Sequence, residues 1–213
     1  MEYTTFQYLW PPRPDNKIPS GMLGFYEKRK WIAQVKKNGT CTVIFARGKE
    51  VIFKTRHKDD EDGNHKQWSP TPEHIKFFQS DSTEWNVYVA ELIHNKTPHI
   101  KNQIYIFDQL VKDGVQLVGM SFEDRHNQLM NKWEIKSEEF DQHRIGDFVS
   151  IAKNLSGDLK KIYDMITPKD GALKENEGLV LKDLKAKLRP CFQQKANSAW
   201  QVKCRVIHKN YSF

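Results

Sequence analysis

From Trp31 to Lys54 the apolar residues arrive in three short runs, Trp31 to Val35, Thr40 to Phe45 and Glu50 to Lys54, broken by Asn38-Gly39 and Arg47-Gly48. Runs this short, alternating in polarity and bounded by turn residues, fit strands rather than helices. An Asn-Gly pair between two of them signals a tight hairpin, so this stretch predicts an antiparallel meander. Two longer runs rich in Val, Ile and Tyr, Asn86 to His94 and Gln103 to Leu110, flank the Asn95-Lys96-Thr97-Pro98 break, and strands recur at Gly178 to Lys182 and Ala199 to Ile207. Helices are few. Thr71-Pro72 opens one through Ile75, Phe77 and Phe78, Ser121-Phe122-Glu123-Asp124 opens another to about Met130, and Asp158 to Ile166 carries apolar residues at helical spacing. The alternation predicts an α+β fold of antiparallel sheets flanked by helices.

With 213 residues, 38% of them apolar, the chain suits one well-cored domain, taken as residues 1–213, better than a large domain plus an ordinary second one. Its first 20 residues form a proline-rich arm, because Trp10-Pro11-Pro12-Arg13-Pro14 withholds three amides and cannot run as helix or central strand. The segment from Lys58 to Gly63 is acidic but lacks the alternating ligands and distal glutamate of a calcium loop, and reads as a solvated loop. Cys41, Cys191 and Cys204 are odd in number and form no C-x-x-C pair, which argues against a disulfide scaffold or a cysteine zinc site and points to a reducing cytoplasm. No signal-peptide pattern opens the chain, and no apolar run approaches the about 18 residues of a membrane span. Against 27 acidic residues stand 34 Lys and Arg, for a net charge of +7, and aromatic residues make up 12% of the chain. A basic surface with flat rings suits a nucleic acid, although an excess this modest also serves solubility alone.

Chemistry concentrates at three places: Lys36-Lys37-Asn38-Gly39, Glu177-Gly178-Leu179-Val180-Leu181-Lys182, and Trp200-Gln201-Val202-Lys203-Cys204-Arg205. A lysine at the end of a strand can serve as a nucleophile once neighbouring cations or burial strip its proton, and Lys37, Lys182, Lys203 and Arg205 are candidates for that. Lys203 and Arg205, two apart on a strand, project from one face and can hold a phosphate between them.

In this order the motifs resemble the covalent nucleotidyltransferases, the superfamily of DNA ligases, RNA ligases and mRNA capping enzymes. The first motif fits in its rarer asparagine form, and Glu-Gly-Leu-Val-x-Lys is more like ligases than capping enzymes. The resemblance implies a nucleotidyltransferase domain like that of small phage or viral ligases; many ligases continue past the last motif into an OB-fold domain, and here, where only Val206 to Phe213 follow Arg205, none is expected. It implies that Lys36 takes AMP from ATP, with Glu177 associated with Mg²⁺ (or Mn²⁺). Arg56 would grip the nucleotide, Glu91 bond the ribose and Phe107 stack on the base, while Lys37 occupies the variable place as a surface charge. Lys182, Lys203 and Arg205 would hold phosphate. The partners implied are ATP and a nucleic acid with a 5′-phosphate/3′-hydroxyl break, with DNA slightly ahead of RNA. The enzyme would act as a monomer, with an accessory protein able to stand in for a clamp domain. A GTP-dependent capping guanylyltransferase and a non-catalytic nucleic-acid module are the readings from other classes.

Overall fold

Two sheets of unequal size and a two-stranded parallel pair, residues 13–14 with 197–198, make up the β structure described. The computed structural model describes residues 12–14, 16–56, 63–94, 96–97, 99–167, 175–190 and 197–206. In chain order the elements are β1 (Arg13–Pro14), α1 (Leu23–Lys28), β2 (Ile32–Lys37), β3 (Thr40–Arg47), β4 (Glu50–Thr55), α2 (Pro72–Phe78), β5 (Asn86–Ile93), β6 (Gln103–Lys112), β7 (Val115–Gln116), α3 (Phe122–Met130), β8 (Ser137–Glu138), β9 (Gln142–Arg144), β10 (Val149–Ala152), α4 (Leu159–Ile166), β11 (Asn176–Lys182), β12 (Asn197–Ser198) and β13 (Gln201–Arg205). The larger sheet runs β4-β3-β5-β6-β10-β9-β8, with β7 paired to β6; the smaller runs β13-β11-β2. All pairings in both are antiparallel except β10 on β6. The fold is α+β, as the sequence predicts.

Both faces of the larger sheet are apolar, as alternation along β3 shows. Ile44 and Ala46 join Phe53, Trp68, Phe78, Tyr88 and Ile106 on one side, while Val43 and Phe45 join Val87, Val89, Leu110 and Leu117 on the other. The smaller sheet is two-sided in character. Ala33, Val35, Leu179, Leu181 and Val202 point back against Leu23 of α1 and Leu159 of α4. The opposite side carries Gln34, Lys36, Lys182, Gln201, Lys203 and Arg205.

The helices start where their caps place them. Thr71 accepts from the His74 amide while His74 Nδ1 accepts from the Thr71 amide, Ser121 accepts from the Asp124 amide, and Asp158 from the Lys161 amide. Helix α3 is locked to β6 by Arg125, whose Nε and Nη2 each donate to a different oxygen of Asp108 at 2.9 Å, with both side chains buried.

One expectation fails. Strands β3 and β4 form the second hairpin of the meander, but β2 does not pair with β3: β2 lies in the small sheet and β3 in the large one. Asn38-Gly39 is therefore a crossing between sheets, and Gly39 is not at positive φ as a two-residue hairpin of the Asn-Gly kind needs. Its glycine has another cause: a Cβ there would lie 2.4 Å from the Leu92 carbonyl oxygen and 2.7 Å from Glu91 Cγ. The Asn38 amide donates to the Glu175 carbonyl and the Asn38 carbonyl accepts from Thr97 Oγ1, so the crossing is pinned on both sides. Strands β8 to β10 and helix α1 carry no periodicity strong enough to predict. The loop at 58–62, Cys191, Asn95, Pro98, the start of the arm and everything after Val206 lie outside the described residues.

Candidate active site

The polar face of the small sheet and one end of the large sheet enclose a cleft of about 260 Å³. Strand register builds its first wall. Lys36, Gly178 and Arg205 share one cross-strand row, and Gln34, Val180 and Lys203 share the next. The facing wall has a row of its own, Cys41, Glu91 and Tyr105 across β3, β5 and β6, with Phe107 two residues further along β6. Arg56, just past β4, is held by its amide donating to the Cys41 carbonyl. Residues Lys36, Arg56, Glu91, Phe107, Lys182, Lys203 and Arg205, more than 160 positions apart at the extremes, all line this one cleft.

Glu177 comes in from the side. The register of β11 against β2 shifts between Asn176 and Gly178, leaving Glu177 as the extra residue of a bulge, and bulges re-aim side chains. Its Oε2 meets Lys36 Nζ at 2.5 Å, with the lysine side chain 23% and the glutamate 8% exposed. Gly178 makes the bulge possible. It sits at φ +141°, and a Cβ on it would fall 2.1 Å from the Cys204 carbonyl oxygen.

The charges in the cleft perturb one another. Loss of water pushes the Glu91 carboxyl up to about 7; Lys36 and Lys96 oppose the shift and Glu177 adds to it. Burial pushes the Lys203 ammonium below its ordinary value, reinforced by Arg13, Arg205, Lys36 and Lys17. Burial likewise brings Lys182 down to about 7, Asp108 opposing and Arg125 adding. Lys182 Nζ donates to Gln34 Oε1 at 2.6 Å and to the Phe107 carbonyl at 3.2 Å, and stands 5.2 Å from the Phe107 ring centre. One end of the cleft thus gathers cations around Lys36, while the other pairs an aromatic ring with a buried lysine and an amide.

Lys37 departs from its expected place on the surface. Its side chain is 2% exposed, and its ammonium reaches Asp141 at 2.6 Å and Glu175 at 2.5 Å and faces the Tyr105 ring at 5.3 Å. Its charge is therefore paired with two carboxylates. Lys37 is buried because β2 ends between two sheets, which no local pattern reveals. A second cavity, of about 570 Å³, shares Lys37 and Tyr105 with the cleft but holds none of the residues given roles from the motifs. Gln34 was readable, since it precedes Lys36 by two and so shares its strand face. Arg13 was not.

Among the described residues no three acidic, histidine or cysteine side chains converge, so a cage for a resident metal is not formed by them. A single carboxylate, Glu177, beside a cleft rich in phosphate-binding cations does fit the way Mg²⁺ binds, through one or two carboxylates plus substrate phosphates and water.

No known protein family matches the sequence, and no curated protein does. Solved structures do match the fold, among them those of DNA ligases. The ligase domain of M. tuberculosis LigD aligns over 96% of this chain and 61% of its own, at TM-score 0.63 and 16% identity. Mycobacterial DNA ligase D complexed with ATP aligns over 96% and 62%, at TM-score 0.59 and 16% identity. A Lig E DNA ligase, described as binding DNA with a minimal scaffold, aligns over 92% and 69%, at TM-score 0.53 and 14% identity. The chain has the fold of a nucleotidyltransferase-type ligase domain and spans about three fifths of the length of the LigD structures.

Proposed function

We propose that the chain is an ATP-dependent polynucleotide ligase that works through a lysyl-AMP intermediate on Lys36. The observation that carries this reading is the convergence of Lys36, Glu177, Lys203 and Arg205 at one end of a cleft whose other end offers Phe107 and Lys182. A nucleotide laid along it has cations at its phosphates and an aromatic ring at its base. Arg56 and Glu91 line the facing wall, where they would take the phosphate and the ribose between.

In the first step Lys36 gives one proton to water by way of the Glu177 carboxylate and attacks the α-phosphorus of ATP as the neutral amine. The N–P bond forms, the bond to the bridging oxygen breaks, pyrophosphate leaves with that electron pair, and the second amine proton is lost to solvent. Lys203 and Arg205 hold the α-phosphate while charge builds on its oxygens. Mg²⁺, held by Glu177 and the phosphates, would add charge neutralisation here. Next, an oxygen of a strand's 5′-phosphate attacks the same phosphorus, the N–P bond breaks, and Lys36 takes back a proton. Finally the neighbouring 3′-hydroxyl oxygen attacks the activated 5′-phosphorus, loses its proton and expels AMP. The DNA ligase neighbours favour a nick in duplex DNA as substrate.

Protein incubated with labelled ATP is expected to carry acid-labile AMP through denaturing electrophoresis, and Lys36→Ala to carry none. Label from GTP but not ATP would point to capping chemistry, and no label from either to a binding module. Matched nicks with deoxyribose or ribose at the break then read DNA against RNA.

A further inference from the structure

The arm that precedes the first helix is part of the cleft. Residues 16–18 run alongside β13: the Ile18 amide donates to the Lys203 carbonyl, the Lys203 amide to the Asn16 carbonyl, and Lys17 bridges Lys203 in parallel register. Further back, β1 pairs with β12, Ser198 Oγ donates to the Arg13 carbonyl, and Gln201 Nε2 to the Pro12 carbonyl. These main-chain contacts bring Pro12, Arg13 and Pro14 to the edge of the cleft beside Lys36, Lys203 and Arg205. Arg13 is half-buried, and among the described residues its guanidinium has no acidic partner. A half-buried arginine facing a cluster of like charges is repelled by it, and is tolerable there when an anion arrives to be shared. The repulsion is already felt, since Arg13 is the leading charged neighbour among those that lower the Lys203 ammonium.

We propose that Arg13 binds the β- and γ-phosphates of ATP and stabilises pyrophosphate as it leaves Lys36, so that the arm supplies the leaving-group side of the adenylylation site. The proposal rests on the reading of Lys36 given above. Lys203 and Arg205 share the sheet face of the nucleophile and address the α-phosphate. Arg13 comes from a separate segment bordering them, and its planar fork suits two oxygens of a diphosphate at once. As the α-phosphorus to bridging-oxygen bond breaks, the electron pair collects on pyrophosphate, and a guanidinium aimed there lowers the barrier without touching the nucleophile. The later two steps expel lysine and AMP rather than pyrophosphate, so they do not call on Arg13.

The test compares wild type with Arg13→Ala and Arg13→Lys in three measurements. Binding of inorganic pyrophosphate, read by calorimetry, is expected to weaken at least about tenfold in Arg13→Ala and to recover in part in Arg13→Lys. Formation of lysyl-AMP from ATP is expected to slow by about 10 to 100-fold in Arg13→Ala. Sealing of a nick whose 5′-phosphate already carries AMP is expected to stay within about twofold of wild type, which also shows that the variant is folded. Unchanged pyrophosphate binding overturns the proposal whether or not the protein labels. So does an equal loss in sealing of the pre-adenylylated nick, which would assign Arg13 to the strand's own phosphate or to the fold. Wild type that binds pyrophosphate through Arg13 yet forms no lysyl-AMP would instead defeat the ligase reading and leave the phosphate site standing.

Discussion

The charge state of Glu91 is open to experiment, because burial brings its carboxyl up to about 7. An unfolded glutamate titrates near 4.5. Between those two values the folded protein holds a proton that the unfolded chain releases, so stability falls as pH rises through the window and levels off above it. His126, brought down to about 4 by burial, and Lys182, brought down to about 7, make stability rise with pH, so Glu91 is read as a difference: from pH 5 to pH 8, denaturant unfolding is expected to show wild type losing stability relative to Glu91→Gln. An unchanged difference between the two proteins would place the titration on another group. At this scale the motifs picked out Lys36, Glu91, Phe107 and Glu177, and the fold gathers the first three in one cleft with Glu177 against Lys36; their surroundings were not legible. That Lys37 is buried between Asp141 and Glu175, or that Glu177 reaches Lys36 through a bulge, depends on segments 100 or more positions away that no window along the chain contains.

Elements were legible wherever local physics decided them. Capped starts placed α2, α3 and α4, and long β-branched runs placed β5 and β6. The strands from 137 to 152 were hidden because they are two to four residues long, too few for alternation to register, and exist by pairing with β6 and with one another. The Asn-Gly hairpin was misread for a related reason: the same dipeptide that suits a left-handed turn also suits a tight passage, and only the neighbour at Leu92 tells which. Helix α3 carries one buried ion pair. Arg125→Ala leaves the Asp108 carboxylate without its guanidinium, and is expected to cost about 3–5 kcal/mol of stability, read as a lower melting temperature. A loss under about 1 kcal/mol would mean that packing of Phe122 and Leu129, both fully buried, holds the helix without it.

At the scale of the whole molecule, charge sets how the protein meets its partner. A net charge of +7 and a cleft edged by Lys36, Arg56, Lys203 and Arg205 favour phosphate contacts over base contacts. Binding to a nick is expected to be weak and to fall at least about tenfold between 50 and 200 mM salt. Fluorescence anisotropy across that range checks it, and a flat profile would remove the electrostatic account.

The passage at Asn38 and Gly39 also limits what can be changed beside the cleft. Two residues carry the chain from β2 to β3, with the Asn38 amide and carbonyl both bonded and the Leu92 carbonyl oxygen 2.4 Å from where a Gly39 Cβ would stand. A side chain there would have to push β5 away, so the gap between the sheet of Lys36 and the sheet of Glu91 is kept narrow by the one residue type that has none.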